Sequence, residues 1–168
     1  MNSADLLADA FERVREEVHA AVEGLSADEL AVRLDSGANS IAWLTWHLTR
    51  IQDDHIADAA GTEQLWTSEG WAERFGLPFP PDATGYGHRS KDVAAVRADA
   101  ELLTGYYDAV HENTLAFVRG LRVSDLERIV DERWTPPVTL GVRLVSVIAD
   151  DLQHVGQAAF IRGAIRRR

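Results

Sequence analysis

Near the C-terminus, the stretch IADDLQHVGQ (residues 148–157) sets Asp150, Asp151 and His154 within about one helical turn of one another, in otherwise apolar surroundings. Upstream, NSIAWLTWHL (residues 39–48) carries one imidazole, His47, among large apolar side chains. Carboxylates and imidazoles at such spacing suit metal ligation. The chain has no cysteine, which excludes disulfides, thiolate ligands and cysteine nucleophiles. Any metal must be held by His, Asp or Glu. Asp150 and His154, four residues apart, stack on one face of a helix, and His47 from a facing helix would supply a third ligand. Two imidazoles and one carboxylate leave coordination positions open to water, as catalytic sites do. Zinc, nickel, iron and manganese are all compatible with that set.

Helix geometry decides which of these residues look inward. With His154 taken as zero, Leu140, Val147, Ala158, Ile161 and Ile165 fall within about 40° of it, so His154 lies mid-way across the apolar face. Asp150 lies about 40° to one side and Asp151 about 60° to the other, with Gln157 about 60° off on the Asp150 side. At least one carboxylate therefore points partly inward, where a bare charge must be paired, protonated or metal-bound. Arg143 is on the Asp150 side but about two turns away. Around His47, the residues Leu44, Leu48 and Ile51 mark an inner face. Asp54 and His55 lie near that face but about 10 to 12 Å further along the axis. They would line the same cavity at another depth rather than share an ion with His47.

The elements that must position these groups read as helices. Leu6, Leu7, Phe11, Val14, Val18 and Val22 recur at helical spacing over residues 3–23, with Ser3 as N-cap and Gly24 as stop. Ser26 and Glu29 have capping-box spacing, predicting a short helix. A second long helix is expected over 40–60, a third over 90–119, weakened at Gly105, and a fourth over 139–165. Ser124 and Glu127 repeat the capping-box spacing before Pro136–Pro137. Between the second and third helices, residues 61–88 are rich in Pro and Gly yet hold Trp66, Trp71, Phe75, Phe79 and Tyr86. So many aromatics argue for a loop folded over something rather than disorder. No strand pattern stands out. The expected architecture is all-α: one domain over 1–168, a four-helix bundle with a long aromatic-rich crossover between helices two and three. Trp43 and Trp46 read as packing residues. His19 and His111 read as solvent-facing, and His88 has no foreseeable partner.

The net charge is −10, from 27 acidic and 17 basic residues. Such a surface repels phosphate backbones, which argues against nucleic acid as a partner; the terminal Arg166–Arg167–Arg168 suits a helix C-terminus instead. Neither a signal-peptide pattern nor a membrane-length apolar run is present, so a cytoplasmic protein is expected.

Taken together, NSIAWLTWHL and DDLQHVGQAAFIRG (residues 150–163) resemble the DinB-like superfamily, most closely its mycothiol-dependent branch of maleylpyruvate isomerases and thiol S-transferases. The likeness spans nearly the whole chain. In that superfamily the first motif supplies one histidine, matched by His47. The second usually reads His-x-x-x-His-x-Gly-Gln, and its later positions match His154, Gly156 and Gln157. Asp150 stands at the first position, where the mycothiol-dependent branch has glutamate, one methylene longer. The resemblance implies a divalent metal, zinc first among the candidates, held by His47, Asp150 and His154, with Gln157 supporting and Asp151 a competing carboxylate. It also implies mycothiol as co-substrate: a coordinated thiol would favour its thiolate and attack a small electrophile beneath the aromatic loop. Arg162, two turns beyond His154, would anchor an acidic substrate or form a rim ion pair. Hydrolysis by an activated water, a non-catalytic ligand-binding bundle and a non-haem iron oxygenase are the competing readings. A homodimer is expected.

Overall fold

The computed structural model describes residues 1–167. Four long helices form the bundle: α1 (Ser3–Val22), α3 (Ile41–Ala60), α7 (Ala100–Arg119) and α8 (Leu140–Arg166). Both α7 and α8 pack against α1 and against α3, so α1 and α3 occupy opposite corners. The minor elements are α2 (Ala27–Leu30), α4 (Leu65–Ser68), α5 (Trp71–Phe75), α6 (Ser90–Ala95), the 3-10 helix η1 (Val123–Glu127) and the strands β1 (Ile129–Asp131) and β2 (Val138–Thr139).

Capping explains most boundaries. The Ser26–Glu29 box forms as expected, with each side chain accepting from the other residue's N–H. Ser40 accepts from the Trp43 N–H at the start of α3, and Gly61 ends that helix in the left-handed region. Three expectations are corrected. Asn2, not Ser3, caps α1, in a reciprocal box with Asp5. The predicted 90–119 helix is two helices, because Asp99 caps a new start by accepting from the Leu102 N–H, while Val96 turns extended and buries its side chain. In the 123–129 segment Asp125 does the capping by accepting from the Arg122 N–H, in place of a Ser124–Glu127 box. The antiparallel ribbon β1–β2 was not expected; strands of three and two residues are too short to show a two-residue period.

The crossover between α3 and α7 is folded down by a buried ion pair. Asp53, 1% exposed, accepts from the backbone N–H groups of Leu65 and Trp66 and from the Tyr106 hydroxyl at 2.8–2.9 Å. Arg50, fully buried, lies 3.9 Å from Asp53, donates to Gln64 Oε1 and to the Ala83 carbonyl, and sits over the Trp66 ring. Trp66, Trp71 and Phe75 then pack around Tyr106. Gly105 makes room for this: a Cβ there would lie 3.2 Å from Trp71 Cη2. Trp43 and Trp46 are buried core residues, as expected.

Candidate metal centre

His47 on α3 meets Asp150 and His154 on α8. One donor atom from each lies within 4.8 Å of the other two. The two rings stand edge to face, centroids 4.8 Å apart. Asp150 Oδ1 and His154 Nε2 are 3.6 Å apart, beyond hydrogen-bond length and open enough for an ion to sit between them.

His47 is held from two sides. Its ring stacks on Trp43 at 4.5 Å and 16°, and Trp43 in turn donates through Nε1 to His88 Nδ1. On the other side, His47 Nδ1 lies 2.6 Å from the Thr84 carbonyl. A carbonyl only accepts, so Nδ1 carries the proton and the Nε2 lone pair is left for a ligand. This is the outer support that ligating histidines usually have. It depends on Gly85, whose φ is +98° and whose Cβ, if it had one, would lie 2.6 Å from His47 Nδ1. Burial lowers the His47 pKa, against the opposing pull of the Thr84 bond, so the ring is neutral and able to ligate.

The two aspartates differ sharply. For Asp150, burial raises the pKa, but His154, His47 and His55 outweigh it and hold the carboxyl below its ordinary value. Asp151 faces the opposite way and is completely buried. Burial, then the Asp150 charge, push its pKa well above the ordinary value. Both its oxygens are without partners among the described residues, as is the nearby Tyr107 hydroxyl. Burial thus favours its protonated form, and it stands outside the His47–Asp150–His154 cluster.

A divalent cation fits these residues on a separate ground. Asp150 Oδ2 is buried and has no hydrogen-bond partner among the described residues. A charged oxygen left without a donor is costly, and an ion between the three side chains removes that cost. The donor set is the one used by open zinc and related centres.

Around the centre is a cleft of about 190 Å³ lined by His47, His55, Tyr86, Ser146 and Asp150. Through His55 and Ser146 it meets a second cavity of about 390 Å³ that includes Asp54 and Asp58. His55 and Asp54 thus line adjoining spaces at different depths. The Gln64 side chain donates to Asp54, and burial lowers the His55 pKa. Gln157 is exposed in a groove with Gln153, Gly156 and Phe160. Arg162 is not free for a substrate: it donates to the Ala21 and Glu23 carbonyls and closes the end of α1. His111 is buried against Tyr107, with Nε2 3.2 Å from Glu12, rather than solvent-facing. His19 is part-exposed beside Asp108. Sequence reasoning missed Thr84, Gly85 and the Arg50–Asp53 pair. A backbone carbonyl leaves no signal in side-chain pattern, but Arg50 and Asp53, three apart on an apolar helix, did offer one.

A bundle that brings one histidine of its second long helix to an Asp-x-x-x-His pair on its last is a DinB-like protein. Within that class the chain belongs to the mycothiol-S-transferase family, whose sequence profile matches residues 6–167. It is also similar, at 30% identity and a TM-score of 0.93, to a conserved protein from Enterococcus faecalis known from its crystal structure, with 100% of this chain and 99% of that one covered. No curated protein sequence matches significantly. Among the described residues, no helix is long and apolar enough to cross a membrane.

Proposed function

We propose that this chain is a single-domain, metal-dependent thiol S-transferase that joins a low-molecular-weight thiol of the mycothiol type to a small electrophile. The supporting observation is the convergence of His47, Asp150 and His154 to within 4.8 Å, with the His47 tautomer set by the Thr84 carbonyl. Zinc suits the donor set best, with nickel, iron or manganese as alternatives. A bound divalent ion supplies Lewis acidity that lowers the pKa of a coordinated thiol. With no cysteine in the chain, the sulfur nucleophile has to be brought in. His47 and His154 would hold such an ion through ring nitrogens and Asp150 through its carboxylate, and a single carboxylate would leave net positive charge there to favour a thiolate. The thiol proton leaves to solvent through the open side of the site, where Asp150 is 38% exposed. The sulfur then forms its bond to the electrophilic carbon as the leaving group departs with the bonding pair. The aromatic crossover walls this side of the bundle and presents Tyr86 to the cleft.

Metal analysis of untagged protein tests this first. About one equivalent per chain is expected, falling below about a tenth in His154→Ala, as for loss of one of three protein ligands. Metal-free wild-type protein of native helicity after purification in metal-sufficient medium would sink the reading. Turnover of an alkylating electrophile should then require added thiol; turnover without thiol would point to hydrolysis on the same site.

A further inference from the structure

Of the large aromatic side chains in the crossover, all but one are packed away. Trp66, Trp71 and Phe75 are buried, and Phe79 lies against Trp46 and His88. Tyr86 is 92% exposed, the most exposed aromatic among the described residues, yet it lines the cleft that holds His47 and Asp150. The backbone under it is fixed. The His88 N–H donates to the Gly85 carbonyl, closing a turn with Tyr86 at its second position. Gly87, at the third, has φ +76°, as a type II turn requires. Before the turn, Gly85 is wedged against His47 and Trp46. After it, His88 accepts from Trp43 Nε1 and stacks on Trp46. Through Thr84, whose carbonyl meets His47 Nδ1, the turn is tied to the metal-ligating set itself.

We propose that Tyr86 is a specificity-determining residue that selects electrophiles carrying a planar apolar group, by covering that group at the lip of the cleft. The proposal rests on the S-transfer reading of the site. Nothing in the chain covers the Tyr86 ring, and a flat ligand group does so at the offset or edge-on separations that aromatic pairs prefer. A turn already anchored at both ends also loses little backbone freedom when a ligand settles on it.

The rest of the cleft agrees with this division. Beside the ligating residues its wall is apolar, from Ile51 and Val147. His55 and Ser146 mark the passage to the larger cavity, which Asp54, Asp58, Asp131, Arg133 and Arg143 make charged. Tyr86 lines the first space and not the second. The polar body of a thiol suits the charged cavity, which leaves the apolar end under Tyr86 to the electrophile. Tyr86 makes and breaks no bond: the sulfur–carbon bond forms and the leaving group departs as set out above, and the ring holds the carbon skeleton meanwhile. Its loss is therefore expected in KM for ring-bearing electrophiles and little in kcat.

Two readouts need no turnover. Tyr106 and Tyr107, the other tyrosines of the chain, are fully buried, so tetranitromethane should nitrate Tyr86 alone in the folded protein. In zinc-loaded protein, phenylimidazole, a neutral metal ligand with a planar ring, should slow that nitration at least about fivefold, and plain imidazole less than about twofold. By calorimetry, Tyr86→Ala should weaken phenylimidazole about tenfold and imidazole less than about twofold, with zinc affinity unchanged. Tyr86→Phe, which keeps the ring, should restore the phenylimidazole affinity. In turnover with added thiol, Tyr86→Ala should raise KM about tenfold for a benzyl halide and less than about twofold for methyl iodide. Failure of phenylimidazole to bind, binding that leaves nitration of Tyr86 unchanged, or equal losses for both ligands in Tyr86→Ala would overturn the assignment. Absence of thiol-dependent turnover of either halide, with the shielding and the ligand difference intact, would strike the transfer reading alone.

Discussion

Asp53 on α3 and Asp150 on α8 stand on neighbouring helices of this bundle, and they are treated in opposite ways. Asp53 accepts three hydrogen bonds and has Arg50 beside it, so its charge is spent on holding the crossover to α3. Asp150 keeps one buried oxygen without any donor and faces two histidines. The difference teaches that burial alone does not mark a working carboxylate. What sets Asp150 apart is an acceptor left open towards other ligand atoms, while both oxygens of Asp53 accept hydrogen bonds.

Substitutions can break that contrast. The largest effect is expected at Asp53. Asp53→Ala leaves Arg50 buried without its partner and frees two N–H groups, and should cost about 3–5 kcal/mol in chemical denaturation. Asp150→Asn should do the reverse: metal affinity falls about a hundredfold, by competition with a chelating dye, while metal-free stability changes by less than about 1 kcal/mol. If the two substitutions had equal effects on folding, the contrast would be wrong. Gly85→Ala sharpens the metal side of the comparison without touching a ligand. It forces the Thr84 carbonyl away from His47 and should weaken metal binding about ten- to a hundredfold, with catalysis lost in proportion when metal is limiting.

The smallest effect concerns Asp151, a third way of handling a carboxyl. Its folded pKa lies above its unfolded value, so the folded state binds the proton more tightly. Its contribution to stability is full below the unfolded value, about pH 4, and is lost as pH rises towards the folded value. Asp151→Leu should remove this downward slope in metal-free protein and raise stability near neutrality by about 1–2 kcal/mol. Denaturation midpoints measured from pH 4 to 8 would show it; an unchanged slope would mean that Asp151 is ionised in the fold.

Much of this was legible in residue order. The Ser26–Glu29 box, the Ser40 and Gly61 boundaries, and the inward turn of His47 and His154 follow from periodicity and capping, which are local. The break at residues 96–99 was missed because a helical apolar pattern runs through it, and the Asp99 cap outweighs that pattern only once Val96 has a core to enter. His111 has polar neighbours in sequence, yet Tyr107 and the α1 side chain Glu12 enclose it. Arg162 looked available because the carbonyls it caps belong to a helix about 140 residues earlier.

The sequence by itself determined four long helices, a cysteine-free ligand set and a last helix with two carboxylates at the edges of its inner face. Only the tertiary structure decided between those carboxylates. Asp150 and Asp151 flank the centre of the apolar face at comparable angles, so nothing within the helix separates them. The separation comes from the neighbours: α3 brings His47 to the Asp150 side, while the Asp151 side closes near Tyr107 of α7 with no donor in reach among the described residues. A charge is retained where other polar groups and water remain, and is neutralised by a proton where they do not.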